Sequence, residues 1–225
     1  MVDGRFELPP MANTHYAAFI DPSGGSSDSV TLAVVHREGQ RGIVDAVREA
    51  RQPFSEAVVA EFATLLKTYR IRRVLGDRFA GLWPRERFQV HGIEYDASAR
   101  PKSDLYRDLL PIVNGARCEL LDHPKLVAQL CALERRVARG GRDSIDHPPG
   151  QHDDIANAIA GCLTNLIVIE APRPTFGVQS PTAPPSALGT WGCTGGVDGA
   201  RYDDTPAAFW RMIGDLNQQQ EGQKS

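Results

Sequence analysis

Short apolar runs closed by turn residues dominate the chain up to about residue 50, and helical spacing takes over after it. Tyr16-Ala-Ala-Phe-Ile20 is followed by Asp21-Pro22-Ser23-Gly24-Gly25, whose Asp, Pro and Gly suit positions i, i+1 and i+3 of a type I turn. The pattern predicts a strand that ends at Asp21. Ser29 to His36 and Gly42 to Val47 read as two further strands joined by the polar turn Arg37-Glu38-Gly39-Gln40, which makes an antiparallel meander. Val58, Phe62, Leu65, Leu66 and Tyr69 then recur at helical spacing over Ser55 to Tyr69. Ile71 to Leu75 is a short strand running into Gly76-Asp77, and the strand-helix-strand order implies a parallel crossover onto the first sheet.

Beyond a short segment around Ile93 to Tyr95, the spacing predicts a helix over Ser103 to Val113, a strand over Cys118 to Leu121 and a helix over His123 to Val137. Asp143 to Gly150 is turn-rich. Asp153 opens a last helix with an Ile155, Ile159, Leu163, Leu166, Ile167 stripe, and its Ala156, Ala158, Ala160 and Gly161 let it lie close against a sheet. Residues 1–14 are polar and without period, as in a linker. The 55 residues after Glu170 hold 8 Gly and 6 Pro, the composition of a low-complexity tail, with one helical stripe at 207–216 that reads as a docking helix. The expected organisation is therefore a linker over 1–14, one domain over 15–170 and a tail over 171–225.

Composition adds constraints. The 41% apolar fraction supplies one sizeable core. The net charge of −3 hides an asymmetry: Lys67 to Arg142 holds 16 basic and 9 acidic residues, a local +7, against −10 elsewhere. The middle third thus suits a polyanion. Cys118, Cys131, Cys162 and Cys193 form no C-x-x-C pair and read as thiols of a reducing compartment. No run of about 18 to 20 apolar residues is present and the first ten residues lack a signal-peptide core, so a cytoplasmic protein without membrane contact is expected. No Gly precedes Lys102 or Lys224, the two lysines followed by Ser, so the phosphate-gripping loop of ATPases is missing.

Asp residues stand at the end of the first strand, at the end of the fourth and at the start of the last helix. That order of elements is the order of an RNase H-like α/β domain, a central mixed sheet of antiparallel strands 1–3 plus parallel strands, flanked by helices. Each Asp also has a local reading: Asp21 and Asp77 suit turns, and Asp153 suits a helix N-cap. Taken together they suit a metal site. Hard cations such as Mg²⁺ or Mn²⁺ take oxygen ligands, and carboxylates from two adjacent strands and a facing helix can hold two of them about 4 Å apart, one activating water and one stabilising the leaving oxygen.

Asp21-Pro-Ser-Gly-Gly25, Gly76-Asp77-Arg78, Lys102-Ser-Asp-Leu-Tyr106, Leu133-Glu-Arg-Arg136, Gly141-Arg-Asp-Ser-Ile-Asp-His-Pro-Pro-Gly150 and His152-Asp-Asp-Ile-Ala-Asn-Ala158 resemble motifs of one family. This is the C-terminal nuclease domain of tailed-phage and prophage terminase large subunits, and the resemblance covers about Leu8 to Leu166. It implies a metal-dependent endonuclease that cuts concatemeric double-stranded DNA during genome packaging, in the host cytoplasm at the procapsid portal. Asp21, Asp77, Asp153 and Asp154 would be the catalytic metal carboxylates, with Asp146 a further ligand. The family joins this domain to an ATPase motor, so the implied partners are DNA, a separate or removed N-terminal motor domain, the portal and the small terminase subunit.

Lys102, Arg78, Arg135, Arg136 and Arg142 are the DNA-backbone contacts this reading expects. His152 suits a turn better than a place behind the metal ligands, and Trp83 a core anchor better than a base-stacking platform. The alternatives are another RNase H-like nuclease, such as a resolvase or transposase core, and a non-catalytic fragment docking on portal or motor. The absent phosphate loop predicts that calorimetric titration with Mg-ATP gives no saturable heat; micromolar binding would reveal a nucleotide site outside the motif.

Overall fold

Alternation along β1 (Tyr16–Asp21) sends Phe19 to one face of the sheet and Ala18 and Ile20 to the other, and each face carries its own buried cluster. A computed structural model describes residues 1–22, 29–51, 54–77, 83–137 and 143–168. The expected tail 171–225, with its helix at 207–216, lies outside the described residues, as do Arg78 and Arg142.

β1 pairs antiparallel with β2 (Val30–Glu38), and β2 with β3 (Arg41–Ala50), which is the expected meander. β4 (Arg73–Gly76) joins β1 in parallel, β5 (Glu94–Ala97) joins β4, and β6 (Cys118–Glu119) joins β3. The strand order is β5-β4-β1-β2-β3-β6. One face is covered by α1 (Glu56–Thr68) and α2 (Trp83–Val90), through Val59, Phe62, Leu66 and Phe88. The other is covered by α3 (Lys102–Asn114), α4 (Pro124–Ala132) and α5 (Asp154–Val168). This is the mixed sheet flanked by helices expected of an RNase H-like domain.

α5 crosses β1, β2 and β3 and fixes the separation of the layers. A Cβ on Gly161 would run into the Phe19 ring, so this residue has to be glycine for the helix to sit where it does. Ala156, Ala158 and Ala160 are fully buried beside it.

Two segments depart from the pattern. α4 ends at Ala132, where Leu133 turns extended (φ −62°, ψ 133°), and Glu134–Val137 forms β7, paired antiparallel with β8 (Asp143–Asp146). The expected helix to Val137 rested on Val137 prolonging the apolar stripe, yet this side chain is 75% exposed. With nothing to bury it, the segment gains more from pairing with β8 than from another helical turn. α2 was not expected either, because only Pro84 and Phe88 in its polar sequence are buried.

Residues 1–14 carry no helix or strand, but they bind the body as a strap rather than hang free. Val2 N–H donates to Leu120 O (3.0 Å), Asp122 N–H to Arg5 O (2.7 Å), Leu8 N–H to Asp45 O (2.8 Å), and the Tyr69 hydroxyl to Leu8 O (2.5 Å). Arg5 pairs with Glu119 and Glu7 with Arg48, both at 2.7 Å. The strap thus bonds to the residues that follow β6, to the middle and far half of β3 and to the C-terminal end of α1. Cys118, Cys131 and Cys162 are free thiols.

Gly161→Ala should cost about 1 to 3 kcal/mol, because the added methyl must push the helix off Phe19. The check is a lower urea midpoint at unchanged m-value.

Candidate metal centre

The parallel register Phe19↔Leu75 and Ile20↔Gly76 continues one residue further, since Asp77 N–H donates to Ile20 O at 3.1 Å. Asp21 and Asp77 therefore leave neighbouring strands side by side, on strands about 4.8 Å apart. Tyr95 lies across Gly76, where any Cβ would collide with its ring, and its hydroxyl donates to Asp77 O (3.3 Å). Burial, and then the charges of Asp77 and Asp21, push the Tyr95 hydroxyl well above its usual range.

Asp153 immediately precedes α5 and is 3% exposed. Its carboxylate accepts from the Tyr106 hydroxyl (2.8 Å) and lies 3.1 Å from the Lys102 ammonium. The Ala156 N–H, the amide an N-cap would satisfy, donates instead to Gln129 Oε1 from α4 at 3.0 Å. Gln129 caps the helix and leaves the Asp153 carboxylate turned into the cluster. Burial raises the Tyr106 hydroxyl well above its usual range, and the charges of Asp153, Asp21 and Asp146 add to it. One turn into α5, Asn157 Nδ2 donates to Asp21 Oδ2 at 2.8 Å.

Asp154 takes another direction. Its Oδ2 accepts from Ser29 N–H (3.3 Å) and Ser29 Oγ (2.8 Å), and the same Oγ lies 3.1 Å from Glu49 Oε1. Lys125 Nζ is 2.5 Å from Glu49 Oε2. These side chains, with Arg51, Gln129 and His152, line a cleft of about 300 Å³. Burial opposes ionisation of Glu49, but Lys125, Ser29 and Arg51 together hold its carboxyl below the usual range.

On the opposite flank Lys102 Nζ lies 2.6 Å from Asp146 Oδ1 while also reaching Asp153. Burial works against the charge of each group, but the pair outweighs it: Asp146 is held below the ordinary carboxylate range and Lys102 above the ordinary amine range. Ser103 fixes the end of β8, accepting from Ile145 N–H at 3.0 Å. Asp146, His147 and Asp153 each bring a ligand atom within 4.8 Å of the others.

Of the residues singled out in the sequence, Asp146 and Asp153 bring ligand atoms within 4.8 Å of each other, together with His147; Asp21 and Asp77 stand at neighbouring strand ends, and Asn157 ties Asp21 to the helix that Asp153 precedes. Asp154 lies beside them facing the Ser29–Glu49 flank. Lys102 is engaged by two carboxylates, and Arg135 and Arg136 are exposed on β7, with Arg136 bonded to Glu134 and His147 O. The donor set is made of oxygens, with one imidazole at its edge, and Asp21, Asp153 and Asp154 are each nine-tenths buried or more. Such a set fits a hard divalent cation. Tyr106, Asn157, Gln129, Glu49, Ser29 and His147 carry the geometry and were not singled out. Tyr106 read as one residue of a helical stripe, and Glu49 becomes visible only once β3 is in register with β2.

No protein-family model matches the sequence, and no curated protein does. Solved structures do match in fold. The large terminase nuclease from thermophilic phage G20c is similar with a TM-score of 0.60 at 16% identity, over 70% of this chain and 92% of that one. The same nuclease with bound magnesium is similar to the same degree, over 71% of this chain. The HK97 bacteriophage large terminase gives 0.57 at 13% identity, over 71% of this chain and 41% of that longer one. The described domain has the RNase H-like fold of these large terminase nucleases.

Gln129→Ala should destabilise the domain by about 1 kcal/mol through the uncapped Ala156 amide, lowering the melting temperature. In EDTA, Asp21→Asn should melt no lower than wild type, because it removes one of several crowded negative charges.

Proposed function

We propose that this chain is a metal-dependent endonuclease of a viral genome-packaging terminase, cutting concatemeric double-stranded DNA by two-metal-ion phosphodiester hydrolysis. The observation that carries the reading is the placement of Asp21 and Asp77 at adjacent parallel strand ends, with Asp21 bonded to Asn157 of the helix whose first turn follows Asp153, an Asp that Gln129 relieves of capping. The fold shared with the G20c nuclease, a protein also solved with bound magnesium and with bound cobalt, supports the same reading.

Asp21, Asp77 and Asp153 would hold the ions, with Asp154 completing the set from the Ser29 side and Asp146 serving the more weakly held ion. Bound Mg²⁺ or Mn²⁺ supplies Lewis acidity and lowers the pKa of water. The protein's own part is placement. Tyr106 and Asn157 fix the orientations of the Asp153 and Asp21 carboxylates, and Lys102 limits the repulsion between Asp146 and Asp153. The DNA backbone would lie over the basic middle third, with Arg78, Arg135, Arg136, Arg142 and Lys102 as contacts and no base readout. A motor domain, portal and small subunit are the assembly partners of this reading.

Supercoiled plasmid should be nicked or linearised with Mn²⁺, more weakly with Mg²⁺, and left intact in EDTA. Asp21→Asn or Asp77→Asn should abolish the cleavage; activity that survives in EDTA or in either variant sinks the proposal. Asp146→Asn should raise the Mn²⁺ concentration for half-maximal cleavage more than it lowers the saturated rate. A wild-type Mn²⁺ titration for that variant would leave Asp146 a partner of Lys102 alone.

A further inference from the structure

The register places three polar side chains in one row under α5. Asp21 pairs with Thr31 across β1 and β2, and Thr31 pairs with Glu49 across β2 and β3. Directly paired residues share a face, so the row lies on the same side of the sheet as Phe19 and Ala33, against α5. Thr31 is 0% exposed and Asn157 is 1% exposed. Two oxygens of this layer, Thr31 Oγ1 and Asn157 Oδ1, are buried and have no hydrogen-bond partner among the described residues.

Buried polar atoms in folded proteins are nearly always paired, because an unpaired one keeps the full cost of desolvation. Core packing does not account for these two, since Val and Leu would fill the same space without that cost. The orientation of the Asn157 amide is set by chemistry: facing Asp21 Oδ2 it must present Nδ2, which turns its carbonyl oxygen away from that contact. An oxygen so placed calls for a donor. The Lys102 ammonium is engaged by Asp146 and Asp153, and the Tyr106 hydroxyl by Asp153. The donor that suits an oxygen-lined centre is the water shell of a divalent cation, which Mg²⁺ in particular sheds reluctantly.

We propose that Asn157 and Thr31 are positioning residues of the metal centre, Asn157 fixing one oxygen of Asp21 and both presenting buried oxygens to the water shell of the cation that Asp21 binds. The inference rests on the metal-dependent reading above and goes beyond it by assigning two uncharged residues to the centre. Groups that orient the ligands of a metal commonly change its affinity about 10- to 100-fold when removed.

The test is Mn²⁺ binding, measured by calorimetry and by the Mn²⁺-induced rise in melting temperature, without DNA. Thr31→Val keeps the shape of the side chain and removes the hydroxyl. It should melt in EDTA at or above the wild-type temperature and bind Mn²⁺ about 10-fold more weakly or worse. Asn157→Ala should weaken binding in the same way, and Thr31→Ser should restore most of the affinity that Thr31→Val loses. Wild-type Mn²⁺ affinity in Thr31→Val overturns the proposal and leaves the metal reading standing, and that variant decides the matter if Asn157→Ala fails to fold. Wild-type protein that takes up no Mn²⁺ overturns the metal reading and this inference together.

Discussion

Carboxylates crowded out of water repel one another, and the arrangement of this domain follows from having to hold them in place. Asp21, Asp153 and Asp154 are nearly inaccessible, with Asp77 alongside at the neighbouring strand end. Burying such charge without compensation is unfavourable by several kcal/mol per group. The surroundings supply partial compensation on two flanks: Lys102 between Asp146 and Asp153, and Lys125 on Glu49, which meets Asp154 through Ser29. Neutral donors, the Tyr106 hydroxyl and the Asn157 amide, do the rest from the middle.

The two adjacent Asp residues at the start of α5 face different neighbours because successive residues on a helix point about 100° apart. Asp153 joins the Lys102 flank and Asp154 the Lys125 flank. A single helix end thereby links two charge networks, and its placement sets the spacing of both. That placement is in turn fixed by close packing, where the Phe19 ring occupies the space that Gly161 leaves. A glycine deep in the apolar layer and carboxylates at the polar end of the same helix belong to one geometrical requirement.

Much of this was legible in the sequence because local rules and tertiary structure agree there. Strand ends marked by Asp21 and Asp77 follow from turn chemistry, and the small residues of α5 announce close packing. Legibility fails where the deciding partner is remote. Val137 extends a helical stripe on paper, but nothing covers it, so the segment pairs with β8 instead. Gln129 is an unremarkable polar residue of α4 until the fold brings it to the Ala156 amide, and only then does Asp153 cease to be a cap. Glu49 and Thr31 acquire meaning from strand register, which no short motif encodes. The strap at 1–14 lacks periodicity because its hydrogen bonds run from backbone groups to scattered places on the body.

The strap also determines how the molecule bears a mechanical pull. Tension applied at Met1 meets the contacts of Val2, Arg5 and Leu8 before it reaches Tyr16. Released one at a time, these bonds yield at low force and lengthen the chain, as a fuse would. Past them the pull runs along β1 in shear, against all six of its register pairs with β2 and the parallel contact with β4. Asp21 is the last residue of that ladder, so the acidic end of the sheet shares the load with the pairs before it and is shielded by the strap until the strap has let go.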